Sequence, residues 1–283
     1  MAQQPFLVVG GTGKTGRQVV ARLRARGAPV RAASRAGEQR FDWADERTWR
    51  PALQGVAGAY VAAPDEATTV PAFLAQAADI GVERLVLLSA RGVDVPGYYG
   101  DAYHGAEGHV RNEDAVRSIG VRWTILRPGW FAQNFSEGFF HAPIRSGELR
   151  LAAGDGAAAF VDTGDIADVA VAALTEDGHA GEVYELSGPR ALTVSEVLAE
   201  IERVSGHAAR YVAVPPDRFV EELAEQGWSR ADAGLWTAVL TPIAMGREAV
   251  IANGVRRALG REATDFTDFA RAAAAAWRSE SHA

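Results

Sequence analysis

Phe6-Leu7-Val8-Val9-Gly10-Gly11-Thr12-Gly13-Lys14-Thr15-Gly16 is the stretch whose reading decides the fold. Four apolar residues run into a glycine cluster, and Val19, Val20 and Leu23 then share one face of a helix expected over 15–26. That order is strand, tight turn, helix. The spacing Gly10-x-x-Gly13-x-x-Gly16 removes side chains where backbone N–H groups and a helix N-terminus could face a pyrophosphate. Gly13-Lys14-Thr15 also matches the end of a nucleoside-triphosphate loop. That loop needs a glycine five residues before Gly13, however, and Val8 stands there in mid-strand. A bare structural joint is the other reading, since glycines punctuate strand–helix turns generally.

Outward from the turn, apolar runs predict further strands over 29–33, 58–62, 85–88 and 121–126, with helices over 45–53, 70–80 and 109–119 between them. Alternation of this kind predicts an α/β fold: a Rossmann-type doubly wound parallel sheet, with ligands at the carboxyl ends of its strands. After Pro128-Gly129 the pattern loosens into an aromatic stretch with Trp130, Phe131, Phe135, Phe139 and Phe140. A helix over 165–174 and a strand over 183–186 then restore it, and 266–277 reads as a docked terminal helix. The expected division is a dinucleotide-binding Rossmann part over 1–130. Residues 131–283 form mainly a smaller C-terminal α/β substrate lobe, with 157–187 returning to the Rossmann part.

The choice of dinucleotide rests on the end of the second strand. An NAD site usually places Asp or Glu there for the ribose hydroxyls, whereas a 2′-phosphate wants a cation and hydroxyl donors. Here the strand ends Ala33-Ser34-Arg35. Arg35 offers a planar fork, Ser34 a hydroxyl, and Lys14 a compact charge from the adjoining turn, so the expected cofactor is NADP(H).

Composition excludes several classes. The 283 residues contain no cysteine, which removes disulfides, thiolate nucleophiles and cysteine-ligated metal. A net charge of −7 argues against nucleic acid as a partner. No apolar run reaches the roughly 18 residues of a membrane span, and the N-terminal residues lack the pattern of a signal peptide, so no membrane association and a cytoplasmic location are expected. The expected partner is a small-molecule substrate, and nothing in the sequence specifies an oligomeric state. The six histidines show no paired-ligand spacing, so no metal is expected.

Of the 29 basic residues only Lys14 is a lysine. The Tyr-x-x-x-Lys pair of ordinary short-chain dehydrogenases is therefore impossible, and any proton transfer must come from another group. The strand ends expected to rim the cofactor are Asp42-Trp43, Ala62-Ala63-Pro64, Ser89-Ala90 and Pro128-Gly129-Trp130. Together with Gly10, Thr12, Gly13, Lys14, Thr15, Gly16, Ser34 and Arg35 they make the expected cofactor site. Asp42 and Trp43 suit the adenine, or equally a strand end packed on the next helix. Catalytic candidates are His109, Ser89 and Tyr103. His109 is read as opening its helix, where a histidine that caps or packs is the plainer alternative. Tyr98, Tyr99, His104, Trp130, Phe131 and Asn134 are the candidate substrate contacts.

The glycine turn, Ala33-Ser34-Arg35, Arg40-Phe41-Asp42-Trp43, Leu88-Ser89-Ala90, 126–137 and Asp165-Ile166-Ala167 together resemble the NmrA-like atypical short-chain dehydrogenases. Within that group, Phe41-Asp42-Trp43 and 130–137 are most similar to ergot-alkaloid reductases of the agroclavine dehydrogenase and festuclavine synthase type. The glycine turn and 147–156 also resemble bacterial NAD(P)H:quinone oxidoreductases. The resemblance spans nearly the whole chain. It implies an NADPH-dependent reductase that passes hydride to a conjugated or cationic acceptor such as an iminium, enone or quinone, in secondary metabolism. Members with lysine-assisted chemistry carry that lysine at the position of His109, which makes His109 the first choice of proton donor. Two other readings stay open: a non-enzymatic NADP(H) sensor, and an isomerase or cyclase on the same fold.

Overall fold

The computed structural model describes residues 4–65, 67–100 and 105–278. Seven strands form one sheet in the order β3-β2-β1-β4-β5-β6-β9. They are β1 (Phe6–Val9), β2 (Val30–Ser34), β3 (Gln39–Arg40), β4 (Gly58–Val61), β5 (Arg84–Leu88), β6 (Arg122–Pro128) and β9 (Glu182–Leu186). Every pairing is parallel. The chain order reverses direction at β1, beside β4, and that switch point opens a crevice at the strands' carboxyl ends.

Both faces of the sheet are covered, which is why its strands are apolar throughout rather than alternating. Phe6 and Val8 pack with α1 (Gly16–Ala25) and α6 (Thr163–Thr175). Leu7 and Val9 point the other way, toward α2 (Trp49–Leu53), α3 (Val70–Ile80) and α4 (Gly105–Ser118). A third core, around Phe135, Phe140, Leu149, Phe160, Ile201 and Trp277, belongs to the lobe.

The lobe begins with α5 (His141–Arg145), β7 (Glu148–Leu151) and β8 (Ala157–Ala158). It resumes with β10 (Leu192–Thr193), α7 (Val194–Ser205), β11 (Arg210–Ala213), α8 (Pro216–Glu225) and α9 (Arg230–Ala244). Two small sheets, β8 with β10 and β7 with β11, brace it. Thr193 and Glu196 start α7 with a reciprocal capping box.

Several boundaries differ from the sequence reading. The return to the Rossmann part starts at Val161 rather than at 157, because β8 pairs within the lobe and Phe160 still packs in its core. Helix α10 (Gly254–Leu259) also rejoins the sheet, where Val255 packs beside β9. Gly254 permits this, since a Cβ there would collide with the Glu185 carbonyl. The helix expected at 109–119 starts at Gly105, so His109 lies one turn inside α4 and does not open it. The terminal helix expected at 266–277 is α11 (Phe266–Ala272) followed by a 3₁₀ turn at Ala274–Ala276. That turn swings Trp277 into the core, where its Nε1 donates to the Phe135 carbonyl at 2.8 Å. Among the described residues no single helix is long and apolar enough to cross a membrane.

Candidate active site

The turn after β1 is held by backbone bonds that put each glycine to use. Gly10 has φ +76°, and its N–H and that of Gly11 both donate to the Ala33 carbonyl, locking the turn onto β2. The N–H of Gly13 closes back on the Gly10 carbonyl at 2.9 Å. Gly16 opens α1 directly over the same carbonyl, where any Cβ would overlap it. Thr15 is buried and accepts a 2.8 Å bond from the hydroxyl of Tyr60.

In front of the turn runs a groove of about 690 Å³. It is lined by Gly10, Gly13 and Thr15, by Ser34 of β2 and the Arg35 that follows it, by Asp42 and Trp43, and by Ala62, Ala63 and Pro64 after β4. These residues fit a dinucleotide. The N–H groups of Arg17, Gln18 and Val19 close onto the Gly13 and Thr15 carbonyls, so α1 offers the groove the positive end of its dipole, and nothing larger than hydrogen projects from Gly10 or Gly13. Arg35 is exposed and makes no hydrogen bond or ion pair among the described residues, which leaves its fork available for an anion. Trp43 both packs and lines: it meets Phe41 and Phe73 edge-on at 4.9 and 5.2 Å while one side faces the groove. Asp42 accepts from the Ala44 N–H and, through its carbonyl, from Trp49 Nε1. Thr12 stands exposed and, like Gly16, does not line the groove.

A second cleft of about 380 Å³ adjoins the groove at Ala63, which lines both. Ser89, Ala90, Gly129, Tyr99, His109, Trp130, Phe131 and Asn134 all reach it. Trp236 and Val239 of α9 add apolar surface from the lobe, and Glu248 adds a carboxyl. Trp130 stacks on Phe140, with centroids 5.9 Å apart and planes at 13°. The aromatic stretch after β6 is thus core on one side and wall on the other.

Three expected roles change. Lys14 does not lie with Ser34 and Arg35; it lines the second cleft, where Nζ donates to Asn134 Oδ1 at 2.7 Å. Burial, aided by nearby Arg17 and opposed by Glu137, holds its ammonium below the ordinary lysine value. Ser89 is not a free proton donor. It is buried, and its hydroxyl donates at 2.6 Å to Glu113, a carboxylate that Arg127 also grips at 2.9 and 2.6 Å. Burial alone would raise Glu113, but bonds from Arg127, Ser89 and Arg117 outweigh it and hold the carboxyl below its usual range. Tyr98 is buried rather than substrate-facing, its ring packed on Gly92 and its hydroxyl donating to Glu248 Oε1 at 2.9 Å. His109 reaches the cleft with Nε2 3.2 Å from Asp65 Oδ1. Tyr103 and His104 lie outside the described residues.

Sequence reasoning missed Glu248 entirely. It sits in Gly246-Arg247-Glu248-Ala249, without motif or period, and reaches the cleft only because α9 folds back across the strand ends.

A parallel Rossmann sheet with a glycine-rich turn, a dinucleotide groove and an adjoining cleft, but no Tyr-x-x-x-Lys pair, defines an atypical dinucleotide-dependent reductase. The chain belongs to the NAD(P)H-binding family, whose sequence model matches residues 10–177. It is 36% identical to (4-alkanoyl-5-oxo-2,5-dihydrofuran-3-yl)methyl phosphate reductase of Streptomyces griseus, covering 97% of this chain and 100% of that one. It is 34% identical to the uncharacterized oxidoreductase YesF of Bacillus subtilis, with 99% and 98% covered. With agroclavine dehydrogenase of Claviceps purpurea it shares 31% over 96% and 98%. Its fold matches the quinone oxidoreductase QOR2 of Escherichia coli, solved with NADPH, at TM-score 0.73, 22% identity and coverage of 94% and 98%. It also matches Nmra, a negative transcriptional regulator solved with NAD, at TM-score 0.71, 15% identity and coverage of 96% and 95%. The chain is an NAD(P)H-dependent oxidoreductase of this family.

Proposed function

We infer that this oxidoreductase prefers NADPH and reduces a conjugated or cationic small molecule of secondary metabolism, such as an enone, quinone or iminium. The observation that carries the cofactor choice is the free Arg35 guanidinium beside Ser34 in the groove, with no acid at the end of β2. Reduced nicotinamide supplies the hydride. Gly10, Gly13 and Thr15 hold the pyrophosphate side, and Ser34 with Arg35 holds the 2′-phosphate.

The acceptor lies in the second cleft against Trp130, Phe131 and Tyr99, flat surfaces suited to a planar conjugated molecule. His109, oriented by Asp65, binds the acceptor by hydrogen bond from the α4 wall. The names of the relatives support the acceptor class: one reduces a 5-oxo-2,5-dihydrofuran, another acts on agroclavine.

The test is NADPH oxidation against a panel of enones, quinones and cyclic imines, with NADH in parallel. Arg35→Asp should weaken NADPH roughly 10- to 100-fold, as loss of a charge-assisted hydrogen bond implies, and leave NADH nearly unchanged. Equal weakening of both would refute the 2′-phosphate assignment. A nucleotide that binds without any acceptor being reduced would favour a cofactor sensor. Turnover without reduced cofactor would favour an isomerase or cyclase.

A further inference from the structure

The inner end of the second cleft holds a buried polar cluster that the cofactor does not account for. Glu248 is 2% exposed and Arg91 4%. Glu248 Oε1 accepts the Tyr98 hydroxyl, whereas Oε2 has no hydrogen-bond partner, and neither do the two terminal nitrogens of Arg91. The nearest charge contact, Arg91 Nη1 to Glu248 Oε2, is 3.7 Å, too long for a hydrogen bond. An unpaired buried carboxyl oxygen costs free energy, so its retention calls for a use.

Gly129 shows where that oxygen faces. Its φ is not positive, so its backbone does not require glycine. A Cβ built there would lie 3.0 Å from Glu248 Oε2 and 3.8 Å from Arg91 Nη1. The bare α-carbon therefore leaves the buried Oε2 uncrowded at the strand end that, with Glu248, lines the cleft. Of the donors chosen from the sequence that are described, Ser89 spends its hydroxyl on Glu113 and His109 sets Nε2 against Asp65.

We propose that Glu248 is the acid of the reaction, its Oε2 handing a proton to the acceptor beside Gly129 as the acceptor is reduced. This rests on the reductase reading above. An iminium takes the hydride alone and draws no proton from Glu248, whereas an enone or quinone acceptor gains one hydride and one proton overall. The Oε2–H bond breaks, and the proton goes to the acceptor atom that receives the electron pair of the acceptor's own π bond. The carboxylate left behind sits against Arg91 and regains its proton from solvent after product leaves. Tyr98, which donates to Oε1, leaves Oε2 as the oxygen that carries the proton.

The electrostatics agree. Burial pushes Glu248 above the ordinary glutamate value; Arg91 and the Tyr98 hydroxyl pull it down, and Glu185, 3.9 Å from Arg91 Nε, pushes it up again, with a net rise. Arg247, its chain neighbour, is turned away onto the carbonyls of Gly97 and Tyr98. A glutamic acid raised in this way is protonated nearer neutral pH, as a general acid must be.

The test combines a spectroscopic titration with kinetics. Infrared difference spectra of the cofactor-free protein over pH should show a protonated carboxyl band that persists above the usual glutamate range and is missing in Glu248→Gln. Glu248→Gln, which keeps shape and the Tyr98 bond, should retain its melting temperature and NADPH affinity. It should lose about 100-fold or more in kcat together with the alkaline limb of the pH profile. Gly129→Ala should keep the band and lose turnover, because the new methyl group crowds Oε2. A band that titrates in the ordinary range, or a Gln variant with wild-type rate and alkaline limb, would overturn the proposal. If the Glu248 band behaves as expected but no acceptor oxidises NADPH, the reductase reading fails. If acceptors are reduced equally well by the Gln variant, the acid alone fails.

Discussion

Replacing Glu113 with Met should destabilise the protein by about 3 kcal/mol, the lower end of the cost of breaking a buried ion pair. The Glu113 side chain is 1% exposed and accepts from Ser89, Arg117 and, twice, Arg127. Its removal leaves Arg127, whose side chain is 9% exposed, with only Asp94 at 2.6 Å. Asp94 is half in solvent, so it offsets part of the loss, which is why the lower end applies. At roughly 2 °C per kcal/mol for a chain of this size, the melting temperature should fall by about 6 °C. Urea unfolding followed by tryptophan fluorescence at neutral pH measures the free energy directly. The double variant Glu113→Met with Arg127→Met leaves no unpaired charge and should recover most of the loss, because a buried pair replaced by apolar residues is often neutral. A single variant that costs under about 1 kcal/mol, or a double variant worse than the single, would refute the view that this network anchors β5 and β6 to α4.

Lys14→Met should leave the NADPH-over-NADH preference unchanged, since Nζ lies with Asn134 in the second cleft, and should raise KM for the acceptor several-fold. A selective loss of NADPH binding would show the lysine to serve the 2′-phosphate after all. Asp265, held at about 2 by its bonds from Arg190 against the effect of burial, lies below its unfolded value near 3.9. Its stabilisation is complete above about pH 4 and is lost as pH falls toward 2, amounting to about 1 kcal/mol once solvent screening is allowed for. Asp265→Asn keeps the cap on the Thr267 N–H, so melting temperatures from pH 5 down to 2 should converge on wild type at the acid end. A constant gap between the two would refute the assignment.

The parts of the site legible in the sequence are those made by neighbours in the chain. Gly10 to Gly16 are consecutive with the strand and helix they join, and Ser34-Arg35 closes the strand that pairs with β1. Their positions follow from local geometry. The parts that were not legible depend on distant segments. Ser89 reads as a free hydroxyl at a strand end until α4 brings Glu113 to it. Tyr98 reads as a pocket residue until Glu248 takes its hydroxyl. Lys14 lies beside Ser34 in neither cavity, because Asn134 of the lobe draws its ammonium the other way.

By itself, then, the chain's pattern of apolar runs and glycines determined a Rossmann sheet, its crevice and the dinucleotide chemistry of the turn, because periodicity, turn sterics and helix N-termini act over a few residues. Only the tertiary structure decided which groups stand free in the cleft. Whether an acid is available for chemistry depends on its burial and on partners from remote elements. For Glu248 those are Arg91, Tyr98 and the bare α-carbon of Gly129, brought together by the fold of the lobe over the strand ends.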